Sequence, residues 1–506
     1  MTNKLRRWPL HPLLAAVYPV LALLANNISQ VKPAAALRPL VLVICFAVLL
    51  WGLVLWIVRD VKRSALLVSW WLVLFFTYGH LYNFLEGHTS LGRHRYLLPA
   101  WIALALLGTW LIIKRVKDLP YATLVLNAIG LVLMVFPLVQ LGSYSLRSRS
   151  ASSHQQPLPA EFTSLQLPQE QAIPDVYYII LDAYARNDTL KSDFSYDNSA
   201  FSDRLREMGF YLASCSQSNY AQTELSLASS LNISYLDDLL GELPASSQDR
   251  LPLRTLLHTD AVRRAFRQLG YKFVAFETGF LFSQFEDADV YLSSGPLGGM
   301  SGFEVLLVKT SGGLAWVDAE SLLPHFFREG IQAPETARYQ QVTYTLDQLA
   351  KIPKSIPGPK FVFAHIVAPH GPWVLGSDGK QVHYTEPVDD ATYIQAYRDE
   401  LTYLNQRMQD ILQTILADSP VPPIIIVQAD HGHDFASSKD RMAILNAYYL
   451  PGDGEKQLYS TISPVNSFRV ILDRYFGGKF NLLEDRSYFS KYQTPYDFTV
   501  IPNACK

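Results

Sequence analysis

The sequence predicts a membrane-anchored α/β protein: a five-helix N-terminal transmembrane bundle followed by an exported domain built on a mostly parallel sheet. Long apolar runs crowd the chain before Gly142 and stop there. From about Asp175 onward, strand-like and helix-like patterns alternate, as they do when helices cover both faces of a parallel sheet. Polar residues able to do chemistry recur where those strands end, which is where open α/β sheets hold ligands.

The apolar runs are Leu10–Ala25, Leu40–Val58, Ala65–Tyr78, Leu97–Ile113 and Tyr121–Leu141. Each is near the ~20 residues a helix needs to cross a bilayer, the first and third only with help from flanking residues. Lys and Arg placement orients them. Lys4, Arg6 and Arg7 precede the first run. Arg59, Lys62 and Arg63 fill the second-to-third loop, and Lys114, Arg115 and Lys117 the fourth-to-fifth. The remaining loops carry Lys32 and Arg38, and Arg93 and Arg95. The excess puts the N-terminus in the cytoplasm and the chain after Gly142 outside the cytoplasmic (inner) membrane. No small-residue cleavage site follows the first run, so it reads as an anchor and not as a removed signal peptide. The organisation expected is a transmembrane domain over 1–141, a linker rich in Ser, Gln and Pro over 142–174, and an exported catalytic domain over 175–506.

A net charge of −2 over 506 residues offers no basic face of the kind nucleic acid requires. Cys45 falls inside an apolar run, whereas Cys215 and Cys505 share the exported part, where a disulfide between them is open. Strands are expected at Val176–Leu181, Lys272–Phe276, Lys360–Ile366, Ile424–Val427 and Met442–Leu450. Helices are expected at Asn198–Met208, Glu224–Leu231, Thr259–Leu269, Tyr393–Leu416 and Pro464–Tyr475. Gly209 and Gly270 fit helix stops. The Gly-rich stretch Ser283–Pro334 is either an insertion near the site or a membrane-facing loop.

Four polar clusters sit at predicted strand ends or at a helix start: Asp182, Thr223, the pair His365 and His370, and Asp430 with His431. Singly, each has a plain explanation as a turn residue or helix cap. Together they suit phosphoryl transfer through a covalent intermediate. Asp supplies a hard anionic oxygen and His a neutral nitrogen, a pairing that holds divalent metals. A threonine hydroxyl is a poor nucleophile and needs a metal or base. A metal on Asp182, Asp430 and His431, with Thr223 as a further ligand, would supply that, and a helix N-terminus under Thr223 would favour phosphate oxygens. His370 would protonate the leaving group or hold the transferred oxygens. Candidate substrate contacts are His365, Arg186 and Asn219, although a solvated surface is the plainer reading of Arg186. His80, His88 and His94, near the outer end of the third run, are ordinary interfacial residues or contacts for a lipid headgroup.

With those residues in view, the chain resembles the membrane-anchored branch of the alkaline-phosphatase/sulfatase superfamily, above all lipoteichoic-acid synthases and phosphoethanolamine transferases. Val262-Arg-Arg-Ala-Phe-Arg-Gln-Leu-Gly-Tyr271 and Tyr397-Arg-Asp-Glu-Leu401 support the likeness. The resemblance implies a sulfatase-like exported domain on a five-pass anchor. It also implies an acidic ligand at Asp182, a nucleophile at Thr223, a metal pair at Asp430 and His431, and a substrate histidine at His370. Zinc and manganese both suit that set. His433 stands where many relatives carry Glu; it either joins a second metal site with His370 or His365, or packs, and packing is slightly preferred. The Cys/Ser-x-Pro-x-Arg pattern of sulfatases is missing around Thr223 and Cys215. The implied function is transfer of a phosphorylated headgroup from a membrane phospholipid donor to an exported glycan or lipid acceptor at the bilayer. The alternatives are a membrane-anchored phosphoesterase and a catalytically silent scaffold of envelope-polymer assembly.

Overall fold

The computed structural model describes the chain except for residues 1–7, 90–91, 154–157, 168–171, 242, 296–299, 318–332, 385–387, 436, 504 and 506. Lys4, Arg6 and Arg7, the first charges used for orientation, lie outside the described residues, as does part of the expected linker. The chain separates into two compact units, one of residues 1–150 with 298–334, the other of 151–297 with 335–506.

The first unit is helical: α1 (His11–Asn26), α2 (Leu37–Val58), α3 (Val61–Glu86), α4 (His94–Lys114) and α5 (Leu119–Ser153). The regions spanning α2 to α5 are each long and apolar enough to cross a membrane, while α1 is an apolar helix of 16 residues. Since α5 runs on to Ser153, the stretch after Gly142 begins as helix. Asn127, buried on α5, accepts from the backbone N–H groups of Leu10 and His11 at 2.9 and 2.8 Å. It thereby satisfies donors that a helix start leaves orphaned. The segment from Ser283 to Pro334 divides. Its helix Gly302–Lys309, opened by a Ser301/Glu304 capping box, belongs to the membrane unit, where Glu304 pairs with Arg38. Gly79 on α3 permits the approach, because a Cβ there would lie 2.5 Å from the Thr310 carbonyl carbon.

The second unit is an α/β domain. Its strands are β1 (Val176–Leu181), β2 (Tyr211–Leu212), β3 (Lys272–Phe276), β4 (Val290–Leu292), β5 (Lys360–Ile366), β6 (Ile424–Gln428) and β7 (Asn446–Tyr449), in the order β2-β7-β6-β1-β5-β3-β4. All pairs from β6 to β4 are parallel, and only β7 runs against its neighbours β6 and β2. The helices are α6 (Asn187–Phe194), α7 (Ser199–Glu207), α8 (Thr223–Leu231), α9 (Leu251–His258), α10 (Ala261–Gln268), α11 (Ala333–Leu349), α12 (Asp390–Asp418) and α13 (Pro464–Phe476). The five long strands and their helices fall where the sequence pattern puts them, with boundaries shifted by a few residues.

Because strand side chains alternate faces, β1 splits between two cores. Val176, Tyr178 and Ile180 join one, together with α8 residues Leu225, Leu227 and Ala228. Tyr177, Ile179 and Leu181 join the other, with α12 residues Leu401, Leu404 and Met408. The same parity holds on β5, where Phe361 and Phe363 face α8, and on β6, where Ile424 and Ile426 do. Continuing that alternation, Asp182 and His365 fall on the α8 side. Cys215 and Cys505 form a disulfide with Cα atoms 5.3 Å apart.

Candidate active site

The three central strands β6, β1 and β5 deliver Asp430, Asp182 and His365 side by side. Ile180 is paired with His365 on one flank and with Gln428 on the other, so residues just past these positions share a level. Asp182, His365, Asp430 and His431 are all buried, whereas Thr223 and His370 are half-buried at the opening.

Hydrogen-bond bookkeeping then fixes the chemistry. His431 Nδ1 lies 2.7 Å from the Gly432 carbonyl, which can only accept, so Nδ1 carries the proton and Nε2 the lone pair. That lone pair faces Asp430 Oδ2 at 3.5 Å and Asp182 Oδ1 at 3.6 Å. Both oxygens are buried and have no hydrogen-bond partner among the described residues. Burial, and then the Arg441 charge, lower the His431 pKa to about 4, so it is neutral at physiological pH. Burial opposes ionisation of Asp182, but His370 and the His365 hydrogen bond outweigh it and hold the carboxyl well below its usual range. Acceptors converging in a buried space repel one another unless a cation joins them. The donor set of two carboxylates and an imidazole fits a divalent metal such as zinc or manganese. His370 and His365 come within ligand range of the same group. His365 is otherwise employed: its Nε2 donates to Asp182 Oδ2 at 3.2 Å and its Nδ1 accepts from Ser283 at 2.9 Å, so it orients Asp182.

Thr223 opens α8 at its first helical position, preceded by the cap residue Gln222. Its hydroxyl therefore does not cap; it sits 3.3 Å from His431 Nε2. The two legs of 3.3 and 3.5 Å keep it within about 7 Å of the Asp430 carboxylate, inside the reach of a shared cation or a bridging water. Gln222 is pinned by its Nε2 on the Ser490 and Lys491 carbonyls, and Glu224 by Arg250 and Arg254. The start of α8 is thus held from both sides.

The loops that carry Asp182, His370 and Asp430 are braced just as firmly. Ala183 takes a left-handed φ of 63°, and its N–H donates to Asp430 Oδ1 at 3.2 Å. Such strain persists where the surroundings over-determine the backbone. Tyr397 on α12 donates to the Ala183 carbonyl at 2.9 Å and accepts from the Ala185 N–H at 3.1 Å. Glu400, one turn on, accepts from the N–H groups of Val374 and Leu375, and burial raises its pKa to about 7, against the pull of Arg338. Arg338 donates to the carbonyls of Val367 and His370. In the Asp-His-Gly triplet, Gly432 has no room for a side chain, because a Cβ would lie 2.5 Å from the Asp440 carbonyl oxygen.

The remaining candidates lie elsewhere. His433 donates from Nε2 to Asp193 at 3.0 Å and accepts the Phe435 N–H on Nδ1 at 3.0 Å. It packs edge-on against Phe194, so both its nitrogens are used away from the carboxylates. Arg186 is buried, with Nε and Nη2 on Asp188 and Nη1 on the Ser216 carbonyl. Asn219 is fully enclosed. Its amide N–H groups bond Ser463 and the Arg486 carbonyl, and its oxygen accepts from Val465. The sequence reading missed Arg441, whose Nε donates to the Ala221 carbonyl at 2.6 Å and whose Nη2 lies 3.5 Å from His431 Nε2. Its spacing of ten positions from His431 was a faint signal. The Tyr397–Leu401 segment was noticed, but its bracing role was not.

No family model matches the chain, and no curated protein matches it. Among solved structures it is similar to the C-terminal periplasmic domain of EcEptC from Escherichia coli in complex with Zn. That likeness has TM-score 0.45 and 10% identity, covering 68% of this chain and 96% of that one. It is similar to the integral membrane lipooligosaccharide phosphoethanolamine transferase A of Neisseria meningitidis, with TM-score 0.39 and 13% identity over 93% of this chain and 94% of that one. A third is the phosphonate monoester hydrolase of Agrobacterium radiobacter, with TM-score 0.40 and 13% identity, covering 62% and 80% of the two chains.

Proposed function

We propose that the chain is a membrane-bound, metal-dependent transferase that moves a phosphorylated headgroup from a membrane phospholipid to an exported glycan or lipid through a phospho-Thr223 intermediate. The observation that carries this reading is the convergence of Asp182 Oδ1 and Asp430 Oδ2, both without a hydrogen-bond partner among the described residues, on the His431 Nε2 lone pair, beside the Thr223 hydroxyl. Asp182, Asp430 and His431 would hold the metal, which when bound would supply a Lewis acid that makes the Thr223 oxygen alkoxide-like.

In the first half-reaction the Thr223 oxygen forms a bond to phosphorus as the bond from phosphorus to the lipid's glycerol oxygen breaks. His370, with Nδ1–H anchored on the Gly371 carbonyl at 2.6 Å, keeps its Nε2 lone pair to carry the proton from the attacking hydroxyl to the departing alkoxide. Arg441 and the first-turn N–H groups of α8 offer donors for the phosphoryl oxygens. In the second half-reaction an acceptor hydroxyl takes the group and Thr223 is restored. Tethering the catalytic domain to the bilayer raises the local concentration of a lipid-borne donor.

Intact-protein mass spectrometry under turnover with candidate phospholipids is expected to reveal a headgroup phosphate on Thr223. Thr223→Ala is expected to abolish it and to lower turnover about ten-thousand-fold. No adduct in any phase of turnover would overturn the reading. Headgroup released free, with no acceptor modified, would make water the acceptor and the protein a phosphoesterase.

A further inference from the structure

Within the membrane unit a cavity of about 490 Å³ runs along one face of α1. Residues from His11 through Leu14, Tyr18 and Ala22 to Asn26 line it at every third or fourth position, facing Ser69 to His80 on α3 and Leu126 to Leu133 on α5. At a rise of 1.5 Å per residue that face is about 22 Å long. A helix of that length and 10–12 Å diameter fills about 2,000 Å³, several times the volume of this cavity. A partner helix cannot occupy it; an unbranched hydrocarbon chain can.

At one end stands His11, 3% exposed, with Nδ1 2.6 Å from the Ser69 hydroxyl. The Ser69 hydroxyl has no other acceptor among the described residues, so it donates to Nδ1, and the His11 proton sits on Nε2. That Nε2–H has no partner among the described residues. Elsewhere in the lining, Thr77 and Thr310 bond to carbonyls of their own helices. No Asp, Glu, Lys or Arg is among the lining residues. An anionic phosphate buried there would go uncompensated, so the group meeting His11 is an uncharged acceptor.

We infer that this groove holds one acyl chain of an ester-linked membrane lipid, with the ester carbonyl accepting from His11 Nε2–H. His11 is in the first turn of α1, so the ester lies at the α1 N-terminal end of the unit. By the charge distribution of the loops that is the cytoplasmic leaflet, the side opposite the proposed chemistry. The lipid is a resident of the fold and not the donor, and the inference stands whether or not the proposed transferase reading does.

The test uses the full chain in detergent micelles, stripped of lipid and titrated with a dipalmitoyl glycerophospholipid or its dihexadecyl ether analogue, with native mass spectrometry as readout. One ester lipid per chain is expected, bound about two- to tenfold more tightly than the ether, the worth of one net hydrogen bond. His11→Leu is expected to erase that preference and Ala22→Phe to prevent retention. A cooperative thermal transition like that of the wild-type chain, followed by intrinsic fluorescence, reports that the variants fold. Should either variant fail to fold, the ester-to-ether ratio of the wild-type chain decides alone. Equal binding of the two lipids, or no retained lipid at all, would overturn the inference.

Discussion

His431 and His433 stand two positions apart and meet opposite surroundings. Each has a hydrogen bond at one nitrogen that sets its tautomer: His431 gives Nδ1–H to the Gly432 carbonyl, and His433 takes the Phe435 N–H on Nδ1. The second nitrogen separates them. At His433 it is an N–H that meets the Asp193 carboxylate, a complete pairing of donor with acceptor. At His431 it is a lone pair that meets two carboxylate oxygens, with the Thr223 hydroxyl and Arg441 at 3.3 and 3.5 Å, an excess of acceptors that a cation would complete. A buried histidine beside a carboxylate is thus structural or metal-binding according to which nitrogen holds the proton, and one residue on either side decides that.

The largest effect expected from this contrast is at Asp430. Asp430→Ala should strip the bound divalent ion and reduce turnover at least a thousand-fold, because the imidazole and the remaining carboxylate leave the site under-ligated. Elemental analysis of the purified full chain checks the first outcome and turnover the second. An unchanged metal content would break the comparison at its stronger end. Next in size is Arg441, which touches His431 from the opening. Arg441→Ala should cost about a hundredfold in turnover, the usual worth of one donor aimed at developing charge, while metal content stays whole. Equal loss of metal would instead make Arg441 part of the structural support.

The weaker end of the comparison is His433. His433→Gln keeps bulk but removes the imidazole that joins Asp193 to the Phe435 N–H, leaving half-buried partners unmatched. A loss of about 1–3 kcal/mol in stability is expected, with metal content unchanged and turnover within about threefold of the wild-type value. Loss of metal from this variant would return His433 to the ligand set.

The contrast also explains how much the sequence could reveal. The apolar runs Val176–Leu181, Lys360–Ile366 and Ile424–Val427 read as buried strands, so Asp182, His365 and Asp430 were legible as polar residues at strand ends, while the order that makes those strands adjacent was not. The edge strands Tyr211–Leu212 and Val290–Leu292 are too short to carry a period, and α6 and α11 lack a sustained apolar stripe. The separation between His431 and His433 was not legible, since it depends on Asp193, contributed by one of those unread helices. Arg441 was hidden for a like reason: its position follows from the path of a loop, not from a repeat. The grouping of residues 302–317 with the membrane helices rests on long-range contacts, the Arg38–Glu304 pair, Phe303 and Leu307 in the helices' core and the close approach that Gly79 allows, none of which a sequence pattern announces.

The smallest effect tests the bracing behind the ligands. Glu400 sits buried on α12 with its pKa raised to about 7 in the folded protein from an ordinary 4.5. A carboxyl whose folded pKa is raised binds more protons folded than unfolded. The stability it contributes is complete below pH 4.5 and is lost as pH climbs through 7. Melting followed by intrinsic fluorescence between pH 5 and 7.5 should therefore show a fall in Tm for the wild-type chain. In Glu400→Gln the amide oxygen can still accept from Val374 and Leu375, but nothing titrates. The fall should shrink by a few °C. A parallel slope in both proteins would mean that Glu400 holds the His370 loop in one charge state throughout. The pH response would then belong to groups nearer the carboxylate pair.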